Sequence, residues 1–287
     1  MAAQLTAIRR YPVKSCAGHP VESAVVEPWG LAGDRRWMVV DDVGLLITAR
    51  EVNTMVLIRP EQTAAGLRVT APDLPSLEIP VPDPGIQVPV RVWRSQLTAA
   101  SGGPEADAWF SKAIGRSARL VYLDDPQRRS PNPDFSEPTD RVSFADGYPL
   151  LVATEASLAA LNDEILAASR TGREPLPMTR FRPNVVIAGT EAWAEDDWRR
   201  IRIGDAVFRA VKGCDRCVVT TIDPDSAVRE KEPIASLARI RRWDGATWFG
   251  VNLIPDTPDV TIRVGDEVEV LDAVAPGAGP VRPAMDR

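Results

Sequence analysis

Ile201-Arg-Ile-Gly-Asp-Ala-Val-Phe208 alternates apolar and polar side chains on either side of a Gly-Asp pair, the pattern of a β-hairpin with one buried face. Ile262-Arg-Val-Gly-Asp-Glu-Val-Glu-Val270 repeats the design, so the end of the chain reads as two such hairpins. Working back from there, residues 233–241 read as a short helix. Residues 154–169 carry the one long helical signal, with Leu158, Leu161, Ile165 and Leu166 as an apolar stripe behind a Thr154 N-cap. Further back the pattern is again that of strands. Gln4 to Arg10 leans to β, and residues 36–40 and 45–48 form a hairpin around Asp41-Asp-Val-Gly44. Residues 55–59, 67–70, 77–81 and 88–93 continue as short strands between Pro- and Gly-rich turns, which suggests a small barrel or sandwich. Ala106, Trp109, Phe110 and Ile114 predict a helix over 105–114, and 119–123 returns to strand. The expected fold class is mainly β with a few helices.

The chain has 287 residues, and at roughly 150 residues per domain that favours two modest domains. Residues 124–138 are rich in Asp, Pro, Ser and Arg and read as the crossing between them. The expected division is 1–125, 126–272 and a frayed tail over 273–287 with Pro and Gly. Hydrophobic residues at 44% and charged residues at 26% describe an ordinary globular chain, which sets aside disordered and fibrous classes. The net charge of −6 argues against a nucleic-acid polymer as partner. No run is long and apolar enough for a membrane span, and the N-terminus lacks the order of a signal peptide. The expected location is cytoplasmic, with no membrane partner.

The chain holds three cysteines, Cys16, Cys214 and Cys217, and one histidine, His19. An all-cysteine iron-sulfur cluster needs more. A closed zinc site would have to join Cys16 and His19 to a pair far along the chain, and an odd count in a chain of this size argues against a disulfide framework. The sharpest local motif is Gly213-Cys-Asp-Arg-Cys217 followed by Val-Val-Thr-Thr. The β-branched run predicts a strand after Cys217, unlike the helix that follows a thioredoxin-type pair. The cysteines could simply be packed; Lys212 and Arg216 beside them favour thiolate, which attacks electrophiles or binds a soft metal. In Phe181-Arg-Pro-Asn184 the proline predicts extended backbone that projects Arg182 and Asn184 from one edge of a strand start. Tyr11-Pro-Val-Lys-Ser-Cys-Ala-Gly18, Gly33-Asp-Arg-Arg-Trp37 and Thr48-Ala-Arg50 are charged turns, and Lys14 is one of only four lysines.

Together these segments resemble a known family. The three N-terminal motifs resemble the β-barrel module that precedes the molybdenum-cofactor sulfurase C-terminal (MOSC) domain. Phe181-Arg-Pro-Asn184, residues 193–204, Cys214-Asp-Arg-Cys217 and Thr220-Thr-Ile-Asp-Pro-Asp225 resemble the MOSC domain itself. The pattern is similar to the mitochondrial amidoxime-reducing component and to bacterial N-hydroxylaminopurine reductases, in the same order over nearly the whole chain. The resemblance implies an N-terminal barrel module plus a MOSC β-barrel domain. It implies Cys217 as the protein ligand of molybdenum and as the catalytic position. Lys14, Ser15, Arg35, Arg182, Asn184, Asp215 and Arg216 would contact the molybdenum cofactor, with Thr154 and Glu155 at a further contact segment. It also implies an oxidoreductase acting on small N-hydroxylated compounds such as hydroxylamines, amidoximes and N-oxides. Such chemistry makes sense of the residue types, because a thiolate suits molybdenum and Arg or Lys suits the phosphate and pterin oxygens of the ligand.

No intrinsic iron-sulfur cluster, haem or flavin is expected, so electrons would come from a separate ferredoxin, flavoprotein or cytochrome. The ferredoxin-like C-terminal domain of some bacterial relatives, the membrane-targeting N-terminus of eukaryotic ones and the pyridoxal-phosphate domain of full sulfurases are not expected here. The alternative from another class is a persulfide relay or cofactor carrier, in which Cys214 or Cys217 holds sulfur.

Overall fold

A computed structural model describes residues 2–169 and 174–281. Strand Gln4–Arg10 buries Leu5 and Ile8 and pairs antiparallel with Val185–Ala188, Ile8 standing opposite Val185. On its other side it pairs with His19–Val21. The start of the chain is therefore built into a nine-stranded sheet whose other strands come from beyond residue 149. That sheet runs in the order Val268–Ala273, Trp198–Ile203, Ala206–Asp215, Ala246–Pro255, Leu150–Thr154, Val185–Ala188, Gln4–Arg10, His19–Val21, with Arg242–Trp243 added on Ala246–Pro255. Its one parallel pair is Leu150–Thr154 with Val185–Ala188. A parallel pair needs a crossover, and the helix Glu155–Ala168 lies in that connection.

A three-stranded sheet of Val260–Arg263, Ser23–Glu27 and Gly30–Leu31 again joins early and late segments. The two remaining sheets come from the first half: Trp37–Val40, Arg119–Tyr122, Ser95–Ser101 and Gln87–Val92 in one, and Arg59–Gln62, Gly66–Ala71 and Leu74–Pro80 in the other. The molecule is mainly β. Inward-facing residues of alternating strands make one core around Ile8, Val152, Ile201, Phe208 and Leu253, and a second around Trp37, Ile47, Leu67, Phe110 and Leu120.

Helix α1 (Pro104–Ile114) starts on proline and ends at Gly115 in the left-handed conformation, a residue type that takes positive φ without a Cβ clash. It buries the expected Ala106, Trp109, Phe110 and Ile114. Helix α2 (Glu155–Ala168) is capped by the Thr154 hydroxyl, which accepts from Ser157 N at 3.1 Å. Leu161 and Ile165 are buried while Leu166 is exposed, so the expected stripe is narrower than read. Helix α3 spans Ile234–Ile240.

Three local readings are corrected. Residues 55–59 are not a strand: Asn53–Leu57 is a 3-10 turn and the strand begins at Arg59. The run after Cys217 is also a 3-10 turn, Val218–Thr221, because Thr220 N is drawn back onto Cys217 O at 3.1 Å. The second Gly-Asp hairpin is not a hairpin pairing, since Val260–Arg263 pairs with Ser23–Glu27 and Val268–Ala273 with Trp198–Ile203. Gly265 N and Asp266 O are claimed by Leu5, so tertiary partners took the linking backbone.

Of the expected tail, residues 282–287 lie outside the described residues. The described part is tied down: Asp197 accepts from Gly277 N and Gly279 N, and Arg199 donates to Gly279 O. Among the described residues no helix is long and apolar enough to cross a membrane.

Candidate functional site

Both halves of the chain contribute walls to a cleft of about 340 Å³, within the size range of small-ligand and cofactor sites. Lys14 and Ser15 reach it because Lys14 N donates to Trp37 O just past the first strand. Ser15 has φ of 68° and Arg35 has φ of 46°, so each turn aims a side chain inward from a left-handed residue. Gly18 leaves space for the Tyr11 ring, where a Cβ would lie 2.3 Å from Cδ1. The guanidinium groups of Arg35 and Arg182 both lie over that ring, at 4.3 and 4.4 Å.

The second half supplies the opposite wall. Arg182 does not adopt the extended conformation expected before proline; it has φ of 56° and ψ of 41°, and ends the turn Met178–Phe181 by donating its N–H to Thr179 O. Asn184 is 1% exposed and bonded at both ends of its amide: its Oδ1 accepts from Arg35 Nη1 at 2.9 Å and Leu151 N at 3.2 Å, and its Nδ2 donates to Arg9 O. It couples the two halves by holding Arg35 in place. Strand Ala206–Asp215 carries Cys214 and Asp215 to the cleft, and Arg216 N donates to Thr247 O at 2.7 Å. Cys217 follows in the loop that opens the next turn.

Six cationic side chains line the cleft, Lys14, Arg35, Arg50, Arg182, Lys212 and Arg216, against two carboxylates, Asp146 and Asp215. A chain of negative net charge thus concentrates positive charge at one place. Lys14 is buried, donates to Phe144 O at 2.8 Å and pairs with Asp146. Burial pushes its ammonium down to about 8, with Asp146 opposing. Burial works against charge on Asp146 too, yet Lys14 outweighs it and holds that carboxyl well below the usual range. Asp146 is open to water but surrounded by protein on the concave side, so part of this effect is screened. Arg216 donates to Cys214 Sγ at 2.8 Å and Phe181 O at 2.6 Å, while its buried Nε has no partner among the described residues. Burial, only partly offset by Arg216, pushes the Cys214 thiol up. Cys16 lies in the core with its thiol pushed up to about 12 by burial.

Eight of the ten candidate residues, Lys14, Ser15, Arg35, Arg182, Asn184, Asp215, Arg216 and Cys217, come together in this cleft. Thr154 and Glu155 do not line it. Thr154 is buried as the cap of α2, and Glu155 accepts from Thr6 Oγ1 at 2.7 Å. Sequence reading passed over Trp93, Asp146 and Arg129 as site residues and quoted Arg50 only as the end of a turn. Arg129 clamps the loop before Tyr148 through Ser143 O, Ala145 O and Asp146 O. Its local sequence carried no signal, because its partners are backbone atoms well separated along the chain.

The donor set suits one kind of ligand better than another. Among the described residues no group of three or more His, Cys, Asp or Glu could cage a bare metal ion. The Arg50 and Arg182 guanidinium groups make no hydrogen bond to protein among the described residues, and Arg216 Nε is an orphan. Two thiols, of which Cys214 is already engaged by Arg216, together with unfilled donors and excess positive charge fit an anionic ligand that brings a metal and most of its coordination with it. The molybdenum cofactor meets that description.

Two family descriptions match this chain: the MOSC N-terminal beta barrel domain over residues 2–117 and the MOSC domain over residues 139–269. The mitochondrial amidoxime-reducing component 1 of Homo sapiens is 32% identical over 91% of this chain and 81% of its own length. The mitochondrial amidoxime reducing component 2 of Homo sapiens is 33% identical over 82% of this chain and 71% of its own. The molybdenum cofactor sulfurase of Oryza sativa subsp. japonica is 31% identical over 87% of this chain, which matches 32% of that longer protein.

Proposed function

The chain belongs to the MOSC family, and we propose that it binds the molybdenum cofactor in the cationic cleft and reduces small N-hydroxylated compounds with electrons from a separate protein. The observation that carries this reading is the convergence of Cys217, with Cys214 beside it, and six cations from both halves of the chain on a single cleft. Cys217 would ligate the metal, and Arg182, Arg50 and Lys14 would bind the anionic parts of the ligand. Arg35 is engaged by Asp34, Asn184 and Arg182 O and would act chiefly as a fixed positive charge. When bound, the cofactor supplies two-electron chemistry at a centre that takes oxygen from the substrate.

The reaction R–NHOH + 2 H⁺ + 2 e⁻ → R–NH₂ + H₂O consumes two protons, one at the departing hydroxyl oxygen, which leaves as water, and one at nitrogen. Lys14, at about 8, is the group at the cleft wall that can give up and regain a proton, while the ionised, water-accessible Asp146 paired with it favours its charged form. The electron donor would be of ferredoxin, flavoprotein or cytochrome type, because three cysteines cannot build an all-cysteine iron-sulfur relay and no dinucleotide-binding glycine motif follows a strand.

Protein from a cofactor-competent host, given a reduced viologen, is expected to convert hydroxylamines, amidoximes or N-oxides to the reduced products, and to show no steady turnover with a nicotinamide cofactor alone. Steady nicotinamide-driven turnover by the isolated chain would refute the separate-donor reading. Inactivity of molybdenum-loaded protein with every donor would favour the sulfur-relay alternative.

A further inference from the structure

Nine non-glycine residues among those described have positive φ, and four of them, Ser15, Arg35, Trp93 and Arg182, line the same cleft. Strained backbone concentrates at functional sites, where surrounding structure holds it in place. Three of the four are candidate cofactor contacts. Trp93, the fourth, is not among those contacts.

Trp93 occupies the first position of the two-residue turn between strands Gln87–Val92 and Ser95–Ser101, with Val92 paired to Ser95. Its φ of 54° is one that Gly, Asn or Asp takes readily at such a turn and a bulky residue does not. Burial does not compensate the strain, since Trp93 is 40% exposed. The tip is nonetheless held: Val92 is buried, and Arg91 exchanges backbone hydrogen bonds with Gly44 and Leu46. The other aromatic rings of the cleft, Tyr148 and Phe181, are buried. Trp93 alone of the three offers open ring surface at the cleft. The Arg50 guanidinium lies 4.5 Å from its centroid and Lys14 Nζ lies 5.6 Å away, which ties the ring to the cationic wall.

We propose that Trp93 is the residue that selects substrates with a planar aromatic group, its exposed ring stacking on that group while the N-hydroxylated end reaches toward Cys217. The proposal rests on the reductase reading for its substrate class. Stacking is tolerant of ring identity, because every aromatic ring offers a π-face, so the selection is for planarity rather than one compound. Neutral aryl amidoximes fit, because the two cations beside the ring disfavour a cationic group there.

The test compares the molybdenum-loaded protein with Trp93→Ala and Trp93→Phe, using benzamidoxime and N-methylhydroxylamine as substrates, a reduced viologen as donor, and calorimetric binding of benzamidoxime without reductant. In Trp93→Ala the KM and Kd for benzamidoxime should rise about tenfold, equal to about 1.4 kcal/mol, with kcat changed less than about twofold. N-methylhydroxylamine kinetics should stay the same, and Trp93→Phe should recover most of the loss. Thermal unfolding should stay close to that of the parent, because alanine keeps the strained turn as it was and gives up only the contacts of a partly exposed ring with Arg50 and Lys14. An equal loss on both substrates, or an unchanged benzamidoxime Kd, would overturn the proposal. If the parent protein reduces neither substrate, the reductase reading fails on its own; weaker benzamidoxime binding by Trp93→Ala would then still support the aryl platform, and unchanged binding would sink it.

Discussion

Cys214 and Cys217 are separated by two residues in sequence but have different surroundings. Cys214 Sγ accepts from Arg216 and its thiol is pushed up by burial, whereas Cys217 Sγ makes no hydrogen bond to protein among the described residues. Cys217 also sits where the chain leaves the strand for the turn Val218–Thr221, with its carbonyl held by Thr220 N and Thr220 Oγ1. The expected consequence is an asymmetry between two conservative substitutions. Cys217→Ser should lower molybdenum content by more than about tenfold, because a hydroxyl is a harder and less readily ionised ligand, while Cys214→Ser should retain it within about twofold. Elemental analysis of protein from a cofactor-competent host measures both. Equal losses would contradict a single-cysteine ligand and favour a paired role. The motif itself was legible in the sequence; the difference between its two sulfurs was not, because it depends on Arg216 folding back from one side and on burial from all sides.

At the scale of elements, the entry to helix α2 shows what capping can hide. Thr154 and Ser157 both donate to Glu195 Oε2, at 3.1 and 2.7 Å, and Glu195 Oε1 is buried without a partner among the described residues. Burial pushes this carboxyl up to about 7, with the Ser157 hydrogen bond opposing. A raised carboxyl means that the native chain binds more protons than the unfolded one between about 4.5 and 7. Its contribution to stability is therefore fully present below about 4.5 and is lost as pH rises through about 7. Glu195→Gln, which keeps the shape and an acceptor without the charge, should remove this loss. Urea unfolding at pH 5 and pH 8 should show the parent losing on the order of 2 kcal/mol more than the variant across that interval. An equal change in both would mean that Glu195 titrates normally. Thr154 could be read as a cap from its place before an amphipathic run, and that is its role in the fold. Glu195 lies far along the chain on a different turn, so no local pattern could connect the two.

For the whole molecule, the strand Gln4–Arg10 is decisive because it lies between Val185–Ala188 and His19–Val21 in the large sheet. The early strand Ser23–Glu27 pairs in turn with Val260–Arg263. A fragment beginning at residue 126 would expose the unpaired edge of Val185–Ala188 and the core surface covered by Leu5, Ile8, Val26 and Leu31. Such an edge is a site of association. The fragment is expected to be insoluble or to lack cooperative unfolding by circular dichroism, and adding a separate peptide of residues 1–35 should improve its solubility. A soluble, cooperatively folding fragment would show that the early strands are dispensable.

Period-two alternation, Gly-Asp and Pro-rich turns, and one capped helical stripe were enough to determine a mainly β chain, because those signals depend only on neighbouring residues. The quoted motifs were enough to name eight residues that meet in one cleft. Three things depended on the tertiary structure. It set the partners of the Gly265-Asp266 link and turned residues 55–57 and 218–221 into 3-10 turns, where long-range hydrogen bonding and packing override local propensity. It separated Thr154 and Glu155 from the cleft, since α2 points their side chains toward Glu195 and Thr6. It also brought Trp93, Asp146 and Arg50 to the cleft, because a site shared by two halves of a chain is defined by which strands pair across them and no window of sequence contains that pairing.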